Sequence, residues 1–212
     1  MKKTVALFLA DPYCSVQSGN GIIKSLSGHY NFKIFGKNTV EENFFNDVDL
    51  IAVPGGFGDA SSFDRLFKNN IVRVQEFVKS GGMYLGICMG AYWAGKHYLN
   101  ILSGVDAVQY ITRPNTDTHR PHAKALEVTW NGQTEKMFFY DGCAFVGDNK
   151  KFKTVSTYAN GDAMAIKQGH IGLIGCHPES EKHWYDSYSW MRPHWHKGSH
   201  HRLLLEFVDS LI

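Results

Sequence analysis

Gly86-Ile87-Cys88-Met89-Gly90 places a thiol between two glycines, each two residues away. A reactive side chain at a sharp strand-to-helix turn needs such small neighbours, because the backbone there is strained and closely packed. A cysteine at that point also gains thiolate character from the unpaired N–H groups that open the following helix. A thiol nucleophile needs a base to take its proton and a group to orient that base. Gly175-Cys176-His177-Pro178-Glu179-Ser180 supplies both, far along the chain. His177 and Glu179 stand two residues apart, and Pro178 stiffens the turn between them so that both can face one pocket. Acyl transfer further requires donors aimed at the developing oxyanion. The Gly55-Gly56 turn can present one N–H and Met89 the other.

The elements that must position these residues read as alternating strands and helices. Val5 to Leu9, Leu50 to Val53 and Met83 to Leu85 are short continuous apolar runs, and Tyr30 to Phe35 reads as a further strand. Such runs indicate parallel strands buried on both faces. The first ends in a loop, Asp11 to Asn20, followed by a short helix over Gly21 to Leu26. Phe63 to Ser80 carries apolar residues at helical spacing, as one helix or two, and Gly81-Gly82 ends it. Ala91 to Ala94 begins a helix after the thiol. The second half changes character, with one hairpin around Asn131-Gly132 and another around Gln168-Gly169. Leu203 to Leu211 reads as a closing helix. The expected fold is α/β, a three-layer αβα, flavodoxin-like arrangement with a mostly parallel sheet and added β-hairpins in the second half. Residues 1–212 are expected to form a single domain, with ligands bound outside the carboxyl ends of the strands.

Composition sets the wider bounds. With 43% hydrophobic residues and 14% aromatics, the chain has an ordinary globular composition. Twenty-two basic against twenty acidic residues leave +2, which argues neither for nucleic acid nor for an acidic partner, and no nucleic acid is expected. Lys2-Lys3 before an apolar run resembles a miniature signal peptide, but the run stops at Asp11-Pro12 without a small-x-small cleavage site. A buried first strand accounts for it better, and no run is long enough to span a membrane. Cys14, Cys88, Cys143 and Cys176 are too sparse for a disulfide framework, so a cytoplasmic location is expected.

Taken together, the turn, the elbow and His-Pro-Glu, in this order, resemble the class I glutamine amidotransferase superfamily. The wording of Val53-Pro54-Gly55-Gly56, Tyr84 to Tyr92, Tyr140-Asp141-Gly142 and Ile171 to Ser180 is closest to the amidotransferase-like domain at the N-terminus of some biotin–protein ligases. The resemblance covers roughly residues 3 to 180. It implies a Cys-His-Glu triad with Cys88 as nucleophile, His177 as base and Glu179 as orienter, and an oxyanion hole at Gly56 and Met89. Gly55, Tyr92, Tyr140 and Asp141 are the substrate-pocket candidates. The implied reaction is hydrolysis or transfer on an amide, of glutamine or γ-glutamyl type, through a thioester, with no cofactor. The partner is that small-molecule substrate, with a synthase-type protein as a possible second one. Members that use glutamine usually carry glutamine two residues past the second elbow glycine. Tyr92 stands there instead, and no synthase or biotin-ligase catalytic domain is recognisable.

A rival within the enzymes is a γ-glutamyl hydrolase or peptidase-like activity. The related chaperone-and-deglycase hydrolases place histidine directly after the cysteine, where this chain has Met89. The alternative of another class is a non-catalytic ligand- or partner-binding module built on the same pocket. His183, His194, His196, His200 and His201 stand among tryptophans and tyrosines without an acidic or cysteine partner at ligand spacing, so no metal is expected. An aromatic loop over the edge of the site is the expected role of that stretch. Arg113, His119, Arg120 and His122 are read as a solvated loop. Cys176 is expected to pack inside the last sheet strand, Cys143 to pack or to line the site, and Cys14 to be a loop thiol.

Overall fold

Thr4–Phe8 (β1) shows how the central layer is made. Val5 and Leu7 point into one apolar cluster and Ala6 and Phe8 into another, so a strand with no polar face is buried from both sides. The computed structural model describes residues 2–10, 16–39, 41–56 and 59–211. Cys14, most of the first exit loop and the far end of the Pro54–Gly58 turn lie outside these residues. β1 pairs in parallel with Asn31–Phe35 (β2) and Leu50–Val53 (β3). The parallel block continues through Met83–Ile87 (β4) to Ile171–Ile174 (β11), in the order β2-β1-β3-β4-β11.

Beyond β11 the sheet turns antiparallel. Ala163–Gln168 (β10), Lys153–Tyr158 (β9), Lys124–Trp130 (β6) and Gln133–Phe139 (β7) follow in that order. Val105–Gln109 (β5) pairs with Cys143–Gly147 (β8), which in turn joins β10. The β6–β7 turn is Asn131-Gly132, both with positive φ (47° and 82°), the two-residue geometry that matches strand twist. Gly169-His170 connects β10 to β11, one residue later than the sequence suggests.

Val16–Leu26 (α1) and Ser199–Asp209 (α6) cover one face through Ile22, Leu26, Leu204, Phe207 and Val208. Burying each such apolar side chain contributes ~1.5–3 kcal/mol. Ala60–Leu66 (α2), Ile71–Lys79 (α3) and Met89–Trp93 (α4) cover the other through Phe63, Leu66, Val74, Val78 and Trp93. A three-residue 3₁₀ turn at Lys68–Asn70 splits the long periodic stretch into two helices.

Two boundaries and one loop differ from the sequence reading. α1 starts at Val16, five residues before the expected helix, because Ser18, Ile22 and Leu26 share one buried face at four-residue spacing. α4 ends after five residues, where the chain bends at Ala94 to lay Trp93 against Phe8, Phe63 and Phe67. The segment around Arg113 is pinned as well as solvated: the guanidinium meets Asp162 through Nε at 2.7 Å and a terminal nitrogen at 3.1 Å. Among the described residues, no helix is long and apolar enough to cross a membrane.

Candidate active site

β3, β4 and β11 are neighbours, and their carboxyl ends deliver the Pro54–Gly56 turn, Cys88 and His177 to one edge of the sheet. Cys88 sits directly between β4 and α4 with φ 48° and ψ −102°, a conformation that costs an L-residue of order 1–3 kcal/mol. Its N–H donates to Ile174 O at 2.8 Å, and Gly90 N–H donates to Pro54 O at 3.2 Å, so the elbow is tied to both neighbouring strands. The flanking glycines are required by close approach. A Cβ on Gly86 would lie 2.4 Å from Gly90 O, and one on Gly90 would lie 2.0 Å from Val53 O.

His177 follows β11, its N–H anchored on Phe138 O at 2.8 Å. Nδ1 meets Glu179 Oε1 at 2.8 Å, which turns the other ring nitrogen to the thiol; Cys88 lies within hydrogen-bonding reach of the imidazole. Glu179 is fully buried. Burial opposes a charge on His177, but the Glu179 carboxylate and the Cys88 sulfur outweigh it and hold the imidazole up at about 10. The edges of Phe138 and Trp184 pack against the ring at centroid distances of 5.9 and 5.4 Å. The aromatic stretch after Ser180 therefore backs the histidine through Trp184, on Lys182–Asp186 (α5), and does not line the pocket. Behind it His196 and His201 each donate Nε2–H to Ser180 O at 3.0 Å, and burial keeps His196 neutral, down at about 3. No three His, Cys, Asp or Glu side chains among the described residues are grouped to hold a metal ion.

In front of Cys88 lies a pocket of about 440 Å³. Gly56, Met89, Tyr92, Tyr140 and Asp141 line it, joined by Asp59, Tyr98 and Gln109. The thiol donates to Tyr140 O at 3.7 Å, and Tyr92 donates its hydroxyl to Asp141 O at 3.2 Å. Met89 is the first residue of α4, so its N–H has no partner within the helix. Gly55, expected in the pocket, does not line it. Its N–H is taken by Ser18 Oγ at 2.9 Å, and a Cβ there would stand 2.5 Å from His177 Cε1. Cys143 and Cys176 are fully buried, the latter just beyond β11 and not within it, and burial pushes both thiols well above their usual range.

Ser18 is the residue the sequence reading missed. Besides accepting from Gly55, its hydroxyl donates to Glu179 Oε1 at 2.6 Å, so one side chain ties the Gly55-Gly56 turn to the carboxylate behind His177. Its signal was present: Ser18 extends the Ile22–Leu26 stripe by one turn, once the helix is started at Val16. Ser18→Ala strands a buried N–H and removes a donor to a buried carboxylate. Thermal denaturation should show a loss of about 1–3 kcal/mol, and an unchanged melting temperature would remove Ser18 from this role.

Comparison with known proteins bears on the fold that carries these residues. The family described as "Biotin-protein ligase, N terminal" matches residues 13–101, a span that holds the Gly55-Gly56 turn and Cys88 and ends before His177. No curated protein matches the sequence. PurLQS from Thermotoga maritima superimposes with a TM-score of 0.67 at 13% identity, covering 100% of both chains. A glutamine amidotransferase from Thermotoga maritima gives 0.61 at 13% identity, covering 100% of this chain and 90% of that one. A Thermoplasma acidophilum protein described as belonging to a GMP synthase gives 0.64 at 12%, covering 100% and 94%. The fold is glutamine amidotransferase-like.

Proposed function

We propose that this chain is a cysteine-dependent amidohydrolase or amidotransferase-like enzyme that cleaves an amide of glutamine or γ-glutamyl type. The observation that carries the reading is the buried His177–Glu179 pair at 2.8 Å, within reach of a cysteine held at positive φ beside a pocket. Cys88 Sγ, its proton passed to His177, attacks the amide carbonyl carbon, and Gly56 and Met89 N–H groups receive the negative charge on its oxygen. His177 delivers its proton to the nitrogen, the C–N bond breaks, ammonia or an amine leaves, and a thioester remains. Water or an amine acceptor then adds to the thioester, His177 takes the proton, and the C–S bond breaks to free the acyl product. Glu179 keeps the imidazole oriented and stabilises its charged form throughout.

The likeness to a protein described as part of a GMP synthase supports a synthase-type protein partner that would take up the ammonia. The described thiols are all free, in keeping with a cytoplasmic location. A glutamine-like chloroketone tests the assignment. Cys88 should be labelled at least tenfold faster than Cys14 or Cys143, and His177→Ala should slow that labelling about tenfold. Equal labelling of the three thiols would favour the binding-module reading, and an unaffected His177→Ala variant would remove the base.

A further inference from the structure

The formal charges on the described residues that line the pocket are all of one sign. Of the described residues that line it, only Asp59 and Asp141 carry formal charge; the others are glycine, cysteine, methionine, glutamine and tyrosines. The two carboxylates differ in what they do. Asp59 caps α2, accepting from Ser62 N–H at 2.6 Å and Ser61 Oγ–H at 3.0 Å, with Arg65 nearby in the same helix. Asp141 has no such structural task. Gln109 Nε2 sits 3.1 Å from each of its oxygens, a neutral donor, and among the described residues no cationic side chain pairs with it.

Asp141 is nonetheless held firmly. Its backbone is left-handed at φ 50°, and the half-buried Tyr92 donates its hydroxyl to its carbonyl. It directly follows Tyr140, whose carbonyl oxygen receives the Cys88 thiol. A carboxylate is thus fixed one residue away from the nucleophile's own contact, partly out of water and without a counter-charge. Burial raises its pKa, opposed only by Gln109, so the anion lacks the neighbour that would relieve it. A ligand can supply that neighbour.

We infer that the pocket selects amides that carry an ammonium group, docked on Asp141, and disfavours those that carry a carboxylate. The inference rests on the amide-cleaving reading above and narrows it. Tyr92 has a part in it: its hydroxyl holds the Asp141 carbonyl and so fixes the loop that carries the anion in this wall. Apart from His177 behind the thiol, an α-carboxylate entering the pocket would meet two carboxylates and no cation among the described lining residues, whereas an ammonium group would meet Asp141 with Gln109 behind it.

Two readouts separate this inference from the reaction it builds on. Ammonia release is followed with L-glutamine, 4-aminobutanamide (glutamine without its carboxylate), glutaramate (glutamine without its amine) and butanamide. 4-Aminobutanamide should exceed butanamide in kcat/KM by about tenfold, and glutaramate should fall below butanamide. Asp141→Asn should bring the four together; asparagine adopts the same left-handed backbone readily, so the fold is kept. Independently of turnover, Cys88 modification by a trimethylammonioethyl thiosulfonate is compared with that by the sulfonatoethyl reagent, in a Cys14→Ser background and relative to a free thiol. The cationic reagent should be favoured about tenfold or more, and Asp141→Asn should reduce the preference to within about twofold. Release of ammonia from all four amides without charge order overturns the inference and leaves the reaction standing. No release from any, with the thiosulfonate preference intact, overturns the reaction and leaves the pocket's selection standing. Equal modification by the two reagents overturns the selection outright.

Discussion

Glu179→Gln should lower kcat/KM for amide cleavage by about 10²–10³ and shift the pH dependence of Cys88 alkylation upward. One oxygen, Oε1, takes both hydrogen bonds at this position, from His177 and from Ser18, while Oε2 is buried with no partner. Glutamine can therefore keep both bonds through its carbonyl, and its NH₂ group enters a space without an acceptor. If the amide flips, it donates to Nδ1 and forces the ring proton to the wrong nitrogen. In either orientation the negative charge is gone. Burial, which disfavours the charged form of His177, is then opposed by the Cys88 sulfur alone, so the imidazole falls from about 10 and gives up its proton more readily. Cys88 then faces a neutral ring more often, and labelling at pH 6–7 slows. The same group links stability to pH. Its folded value is raised above the ordinary 6.5, so its contribution is complete below about 6.5 and disappears as pH rises through about 10. Wild-type stability should decline across that window, and the variant should show a flatter profile. Turnover and pH profiles indistinguishable from wild type would remove Glu179 from the site.

The parts of this site written in contiguous residues were legible in the sequence. The elbow needs Gly86, Cys88 and Gly90 within five positions, and His177 and Glu179 fall within three. β1, β3, β4 and β11 were legible for a related reason: strands buried on both faces become unbroken apolar runs. β5, β8 and β9 were not. β9 reads Lys-Thr-Val-Ser-Thr-Tyr, with only Ser156 and Tyr158 buried, and its place depends on pairing with β10 and β6. Missing β5 also hid Gln109, its last residue, which reaches Asp141 thirty-two positions away.

Long-range contact, not local pattern, also decides which glycine faces the substrate. Gly55 and Gly56 are equivalent in sequence, yet Ser18 claims the N–H of Gly55, so Gly56 is the one that lines the pocket with Cys88 and Met89. The mistaken start of α1 concealed this. Without Val16–Leu26 as one helix, Ser18 is a loop residue with no direction; with it, the hydroxyl must point at the carboxyl edge of the sheet.

Gly90→Ala should destabilise the protein by about 3–5 kcal/mol, a loss reached only by a few mechanisms. The added methyl would lie 2.0 Å from Val53 O, 2.7 Å from Val53 C and 2.8 Å from Val53 Cβ. None of these can swing aside, since Val53 is a fully buried residue at the end of β3. Relief requires α4 to move off the sheet, which lengthens the Gly90 N–H to Pro54 O bond and disturbs the Tyr84 hydroxyl on Gly90 O, now 2.8 Å. For a chain of this size each kcal/mol corresponds to about 2–4 °C in melting temperature, so a fall of roughly 10–15 °C is expected. Chloroketone labelling of Cys88 should fall with it, because the same movement separates Met89 from Gly56. Gly28→Ala is the control: no atom lies within 4 Å of its Cβ position, and its melting temperature should stay within about 2 °C of wild type. If Gly90→Ala also stays within about 2 °C, the contact between elbow and β3 is not the constraint that keeps glycine there. The glycine would then owe its place to the turn at Cys88 alone.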